Sequence, residues 1–155
     1  MALHHRLIVK AARLYWWIRR PRTLGVRAVV HDGAGRIALV RHTYAKGWYL
    51  PGGGVKKGES VAAALARELQ EETGLAGCAI ERVIGIYHSR REYKDDHIVL
   101  FAVRATDPST LAACDRREIV EVGWFAPDAL PADLSPATAR RIADYRTGAG
   151  ASENW

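Results

Sequence analysis

A chain of 155 residues, 48% apolar and 26% charged, has the size and balance of one globular domain with its own core, and no second domain is expected. No run approaches the roughly twenty apolar residues of a spanning helix. The two cysteines, Cys78 and Cys114, are far apart, match no metal spacing and are too few to staple a secreted scaffold, so a reducing cytoplasm is the expected setting.

The net charge of +6 is unevenly placed. Arg6, Lys10, Arg13, Arg19, Arg20, Arg22 and Arg27 all precede the first acid, Asp32, whereas residues 28 to 155 carry 16 basic and 17 acidic side chains. A near-neutral body lacks the continuous basic track that RNA or DNA needs, so no nucleic-acid partner is expected. The excess belongs to the first segment, where Leu7, Ala11, Leu14 and Ile18 recur at helical spacing and Arg6, Lys10, Arg13 and Arg20 share another face. Residues 5 to 20 therefore read as a basic amphipathic helix ended by Pro21, and residues 1–23 as a segment distinct from a domain over 24–147. Two roles stay open for it. With Trp16 and Trp17 it suits an anionic membrane surface. The plainer role, which the balance favours, is packing on the domain or between the subunits of a homodimer.

A hairpin follows, with Arg27 to His31 and Arg36 to His42 as β-rich runs around Asp32-Gly33-Ala34-Gly35. Trp48-Tyr49-Leu50 is stopped by Pro51 and three glycines. Ser60 is a fitting N-cap and Gly74 a fitting stop for a helix ending near Thr73. Ala79 to His88 and His97 to Ala105 read as strands, and Gly123-Trp124-Phe125 as a short last one. Ser135-Pro136 opens a final helix reaching about Arg146, and residues 148–155 read as a flexible tail. Strands interleaved with helices predict an α/β fold, a mixed sheet with helices on its faces.

The helix from Ser60 carries the densest chemistry. At about 100° per residue, Glu68 and Glu72 lie about 40° apart, with Glu71 about 60° to the other side of Glu68, so three carboxylates share one face. Such repulsion is relieved by a cation. Oxygen ligands without a neighbouring His or Cys suit Mg²⁺, or Mn²⁺ in its place, rather than zinc. Arg67 stands four residues before Glu71 and can hold it by a forked hydrogen bond. The glycines at 52, 53 and 54 allow a turn that brings a carbonyl oxygen towards the same ion.

From Gly53 to Leu75 the chain fills every defining position of the pattern Gly-x5-Glu-x7-Arg-Glu-U-x-Glu-Glu-x-Gly-U, with U aliphatic: Gly53, Glu59, Arg67, Glu68, Leu69, Glu71, Glu72, Gly74 and Leu75. This stretch resembles the Nudix hydrolase family, whose MutT-like members it matches over roughly residues 24 to 130. The resemblance implies the Nudix fold, an α/β/α sandwich, and hydrolysis of a diphosphate linkage in a nucleoside diphosphate derivative: a nucleotide, nucleotide sugar or dinucleoside polyphosphate. The alternatives are a prenyl or other non-nucleotide diphosphate, or a binding module without catalysis.

By the same resemblance Glu68, Glu71 and Glu72 bind metal, helped by the carbonyl of Gly52 or Gly53, while Glu59 and Arg67 orient them. Glu118, six residues before Trp124, completes the metal site or acts as general base, with Glu121 as competitor. Glu68 is the first choice for the base. Arg41 falls where relatives hold a substrate phosphate, and Arg27 joins it if the strand register holds. Trp48, Tyr49 and Tyr87 are candidates to stack on a base. His42, His88 and His97, near strand ends, could meet phosphate.

Overall fold

The computed structural model describes residues 22–90, 95–148 and 154–155. The helix expected over residues 5–20, with Trp16 and Trp17, lies outside them. Five strands, β1 (Arg22–His31), β2 (Ile37–His42), β3 (Ala79–Ser89), β4 (Asp95–Arg104) and β5 (Ile119–Phe125), form one mixed sheet in the order β3-β4-β1-β2-β5. β1 and β4 are parallel, and the other neighbours antiparallel. Helix α1 (Val61–Thr73) and helix α2 (Pro136–Thr147) lie on opposite faces.

Alternation along the strands builds two cores. Val26, Ala28 and Val30 of β1 meet Val99, Phe101 and Val103 of β4 beneath Ala64, Leu65 and Leu69 of α1. On the other face Val29, Ile37, Leu39, Tyr87 and Leu100 pack with Trp48, Leu50 and Ile142 of α2. This is the α/β/α sandwich expected. No described helix is long and apolar enough to cross a membrane.

Both helix starts are those the sequence marks. The Ser60 side chain accepts from the Ala63 amide, and Ser135 accepts from Thr138, with Pro136 at the first position of α2. Gly74 and Gly148 end α1 and α2 in the left-handed conformation.

The hairpin, in contrast, closes only at its tip. The Asp32 carboxylate accepts from the amides of Ala34 and Arg36, and the strands pair at His31 and Ile37. Beyond that they part, and the chain from Trp48 to Val55 fills the gap. Tyr49 pairs with Val40 of β2, while the Pro51 and Gly53 carbonyls accept from Ala28 and Val26 of β1 and the Val55 amide donates to Leu24. Gly52 makes this route feasible. Its φ is 135°, and a Cβ there would stand 2.2 Å from the Val26 carbonyl oxygen.

The expected tail at 148–155 is corrected at its last two residues. Trp155 donates its amide to the His88 carbonyl at 2.9 Å, packs edge-on to Tyr87, and accepts from Arg140 at 3.0 Å, while the Asn154 carbonyl accepts from Arg141 at 2.8 Å. Arg141, 1% exposed, lies 4.0 Å over the Tyr87 ring and ion-pairs with Asp144, to which the Tyr87 phenol donates. A large aromatic docked on a buried cation repays its ordering, so the end of the chain is held. Removing residues 154 and 155 is expected to destabilise the protein by about 2 kcal/mol. An unchanged urea midpoint would show that this docking contributes nothing.

Candidate active site

The helix that carries the acids is fixed to the sheet by Leu65 and Leu69, which sets its acidic face towards the segment from Pro51 to Val55. Arg67 is the centre of the arrangement. Its Nε and one Nη grip both oxygens of Glu59, at 2.9 and 3.0 Å. The remaining donors reach Glu68 Oε1 at 2.7 Å, Glu71 Oε2 at 3.1 Å and the Gly54 carbonyl at 3.0 Å. All five guanidinium N–H groups are thereby used. The Glu59 carboxyl is held down to about 2, first by this fork and then by the Lys56 amide, and the carboxylates lock Arg67 in its charged form. Helical spacing predicted the contact with Glu71. That Glu59 takes the fork follows from the Lys56–Glu59 turn, which the spacing alone does not show.

Arg67→Lys keeps the charge but not the fork. It is expected to slow hydrolysis roughly ten- to a hundredfold, the usual effect of losing a group that orients metal ligands, and to raise the Glu59 carboxyl towards its ordinary value. Turnover at saturating metal and an NMR pH titration of the glutamates check the two halves.

Glu72 sits deeper, 6% exposed, with Oε2 accepting from the Gly52 amide at 2.8 Å. Burial pushes its carboxyl up to about 7, and Glu68 and Glu118 push the same way, while Arg27 and the Gly52 amide oppose them. Glu68 and Glu118 are therefore near enough to Glu72 for their charges to act on it. Glu68 faces Gly53 closely enough that a Cβ there would lie 2.5 Å from its carboxylate. Glu71 is half-exposed and joins the group through Arg67. Glu121 does not join it, since it faces Arg41 on the neighbouring strand.

Of the two carbonyls expected to face an ion, that of Gly53 accepts from Val26 in the sheet, and that of Gly52 takes part in no such bond among the described residues. No three His, Cys, Asp or Glu side chains among the described residues already converge as a cage, because Glu68 and Glu71 are turned onto Arg67. The donor set is nonetheless oxygen throughout and includes a buried carboxylate, Glu72, whose charged form burial disfavours and a nearby cation would favour. It fits a hard divalent ion.

The other expected residues divide. Arg27 donates to the Leu50 carbonyl at 2.9 Å and acts electrostatically on Glu72 and His42, so it borders the acidic groups. Arg41 stands over Trp48 on the α2 side and pairs with Asp133 at 3.1 Å. Trp48, 4% exposed, and Tyr87, fully buried, are core residues, which corrects their reading as stacking surfaces. Both lie beneath α2, where a base could reach neither. Tyr49 is half-buried and donates its phenol to the Lys46 carbonyl. His88 bonds Asp95 beside His97, and with Arg22, Arg90 and Asn154 these line a cavity of about 570 Å³.

His42 is 5% exposed, and burial with Arg27 nearby pushes its imidazole down to about 4, so it is neutral and gives no charge to a phosphate. It lies between Tyr44 and Tyr49, with ring centres 4.9 and 5.5 Å away. Tyr44 is the residue that sequence reasoning passed over. It is 71% exposed, stacked on His42, and close enough to Glu68, Glu72 and Glu118 for their charges to push its phenol up, after burial. An aromatic two residues past the end of an expected strand was the available signal, and the sequence did not show that it faces solvent.

A family model described as the NUDIX domain matches residues 21–145. A Bacillus subtilis (strain 168) protein named "Putative 8-oxo-dGTP diphosphatase" is 32% identical over 127 residues, 82% of this chain and 82% of its own length. A Streptomyces ambofaciens "MutT-like protein" is 29% identical over 128 residues, 83% of this chain and 79% of that one. Among solved structures, a MutT NUDIX hydrolase from Burkholderia pseudomallei superposes with a TM-score of 0.67 at 27% identity, covering 80% of this chain and 98% of that chain.

Proposed function

The chain belongs to the Nudix hydrolase family, and from that premise we propose that it cleaves the diphosphate linkage of a nucleoside diphosphate derivative with the help of Mg²⁺. The observation that carries this reading is the Arg67 clamp, which gathers Glu59, Glu68, Glu71 and the Gly54 carbonyl beside the buried Glu72. Glu68, Glu72 and Glu118, with the Gly52 carbonyl, would hold the ion, and Glu71 would join them by turning from Arg67. Bound there, it supplies charge neutralisation for the phosphates and makes water a better acid.

The protein's own groups do the rest. Glu68 has Oε1 fixed by Arg67, which leaves Oε2 to accept the proton of the attacking water. Arg67 cannot compete for it, because the surrounding carboxylates hold its own proton fast. Glu118, exposed on the turn before β5, stands second for the same role. Arg27, which borders the acidic groups, would meet a phosphate oxygen, and Tyr44 would offer the open aromatic face that Trp48 and Tyr87 do not.

Hydrolysis of a panel of nucleoside triphosphates, nucleotide sugars, dinucleoside polyphosphates and prenyl diphosphates, with Mg²⁺ and with chelator, tests the proposal. Release from a nucleotide class only with metal is the expected result. Release from prenyl diphosphates alone, unaffected by competing nucleotides, would overturn the nucleotide reading.

A further inference from the structure

We propose that Thr43 is a positioning residue that ties the ring of Tyr44 to the turn carrying Glu118, so that a nucleobase stacked on Tyr44 steadies Glu118; this rests on the nucleotide reading above. Strands β2 and β5 pair one residue against one from Ile37 and Phe125 as far as Arg41 and Glu121, but the partner of His42 is Ile119. Val120 is thus an extra residue, a bulge of the kind that re-aims side chains beside reaction centres. Past it the two strands give way to turns that stay bonded to each other. The Thr43 amide donates to the Glu118 carbonyl at 2.8 Å, and the Thr43 hydroxyl to the Arg117 carbonyl at 2.9 Å. Two bonds from one residue to consecutive carbonyls fix direction as well as distance, so a swing of either turn must carry the other or break them.

Each turn has its own support. The amides of Glu118 and Ile119 donate to the Asp115 carbonyl at 3.1 and 2.7 Å, and the Asp115 amide donates to the Glu71 carbonyl at 3.1 Å, so the Glu118 turn hangs from the last turn of α1. On the other side Tyr44 lies on His42 with the ring planes 24° apart, and His42 is itself buried against Tyr49. Tyr44 therefore has a buried floor and an open upper face. A flat ring landing there meets an aromatic already held on one side, which lowers the cost of ordering it. A nucleobase has the π-face to match, and a sugar phosphate has none. Glu68, Glu72 and Glu118 all act on the Tyr44 phenol, which sets this plate within reach of their charges. Base and acids thus meet at two turns that a single threonine joins.

Amide hydrogen exchange and steady-state rates test this together. In the full chain without metal, adenosine or guanosine monophosphate at about ten times its dissociation constant is expected to slow exchange at the Thr43 and Glu118 amides about tenfold, and ribose 5-phosphate to leave both unchanged. Thr43→Val keeps the amide bond and the shape but loses the hydroxyl bond, so the slowing at Glu118 should fall to about twofold while that at residue 43 persists. The same variant should lower kcat on a nucleoside triphosphate about fivefold at an unaltered KM, and Thr43→Ser should restore both readouts. No slowing at Glu118 in the parent, equal slowing by ribose 5-phosphate, or a raised KM with kcat intact in Thr43→Val would overturn the coupling. Slowing at Glu118 in a protein that cleaves no nucleotide would remove the diphosphatase reading and keep the coupling, and cleavage without that slowing would do the reverse.

Discussion

Glu72→Gln is expected to lower turnover on the order of a thousandfold while leaving the chain folded and, with chelator present, more stable than the parent at pH 8. The substitution removes one charge from the proposed ligands of the ion and keeps an amide oxygen that accepts from Gly52. The stability effect comes from burial, which raises the carboxyl from 4.5 to about 7. A group raised in the folded state binds its proton more tightly there than when unfolded. Its contribution is whole below about pH 4.5 and is lost as pH climbs through 7, a swing of about 3 kcal/mol. Urea unfolding at pH 5 and pH 8 should show this slope in the parent and not in Glu72→Gln. Mg²⁺ should restore the parent at pH 8 and do much less for the variant. Undiminished turnover would remove Glu72 from the site, and parallel pH slopes would remove burial as the reason for its high carboxyl.

The neighbouring glycines should fail in opposite ways. At Gly52 a methyl group meets backbone, 2.2 Å from the Val26 oxygen and 2.9 Å from the Arg27 Cα, at a φ of 135°. Neither obstacle can rotate away. Gly52→Ala is expected to cost about 3 kcal/mol or more, combining strain with overpacking, and to lose activity with the fold. At Gly53 the obstacle is the Glu68 carboxylate, the end of a flexible side chain. Gly53→Ala should therefore keep most of the stability and lose turnover by moving the proposed base. Thermal unfolding beside initial rates separates the two. Similar melting temperatures for both variants would contradict the assigned contacts.

What could be read in advance follows the range of the interactions. Helix α1, its caps at Ser60 and Gly74, and the Arg67–Glu71 bond depend on residues within a turn or two of one another, and periodicity and capping chemistry expose them. The start of β1 at Arg22, five residues before the expected Arg27, does not, because its ladder is made with β4, more than seventy residues on. Trp48 and Tyr87 were misread for a related reason. An amphipathic aromatic looks the same in sequence whether it faces solvent or core, and the choice was made by α2, a distant element. Trp155 shows the same blindness from the other side, since polar and glycine-rich neighbours suggest a loose end and only its partners hold it. Within the site, the family pattern names the acids, but the separation of Glu118 from Glu121 is decided by the strand register that turns Glu121 to Arg41.

The strip from Trp48 to Val55 has a bearing on how the protein fluctuates. Its carbonyls and amides are rungs of the same ladder that joins β1 to the sheet, and its Gly52 amide ends on Glu72. Loops around a reaction centre ordinarily open on their own, far below the energy of global unfolding. Here the floor of the proposed site cannot open without breaking the central strands. The amide protons of Gly52, Val26 and Ala28 should therefore exchange with solvent deuterium among the slowest in the chain, and any opening that admits substrate falls to the turns at Thr43–Lys46 and Arg116–Glu118.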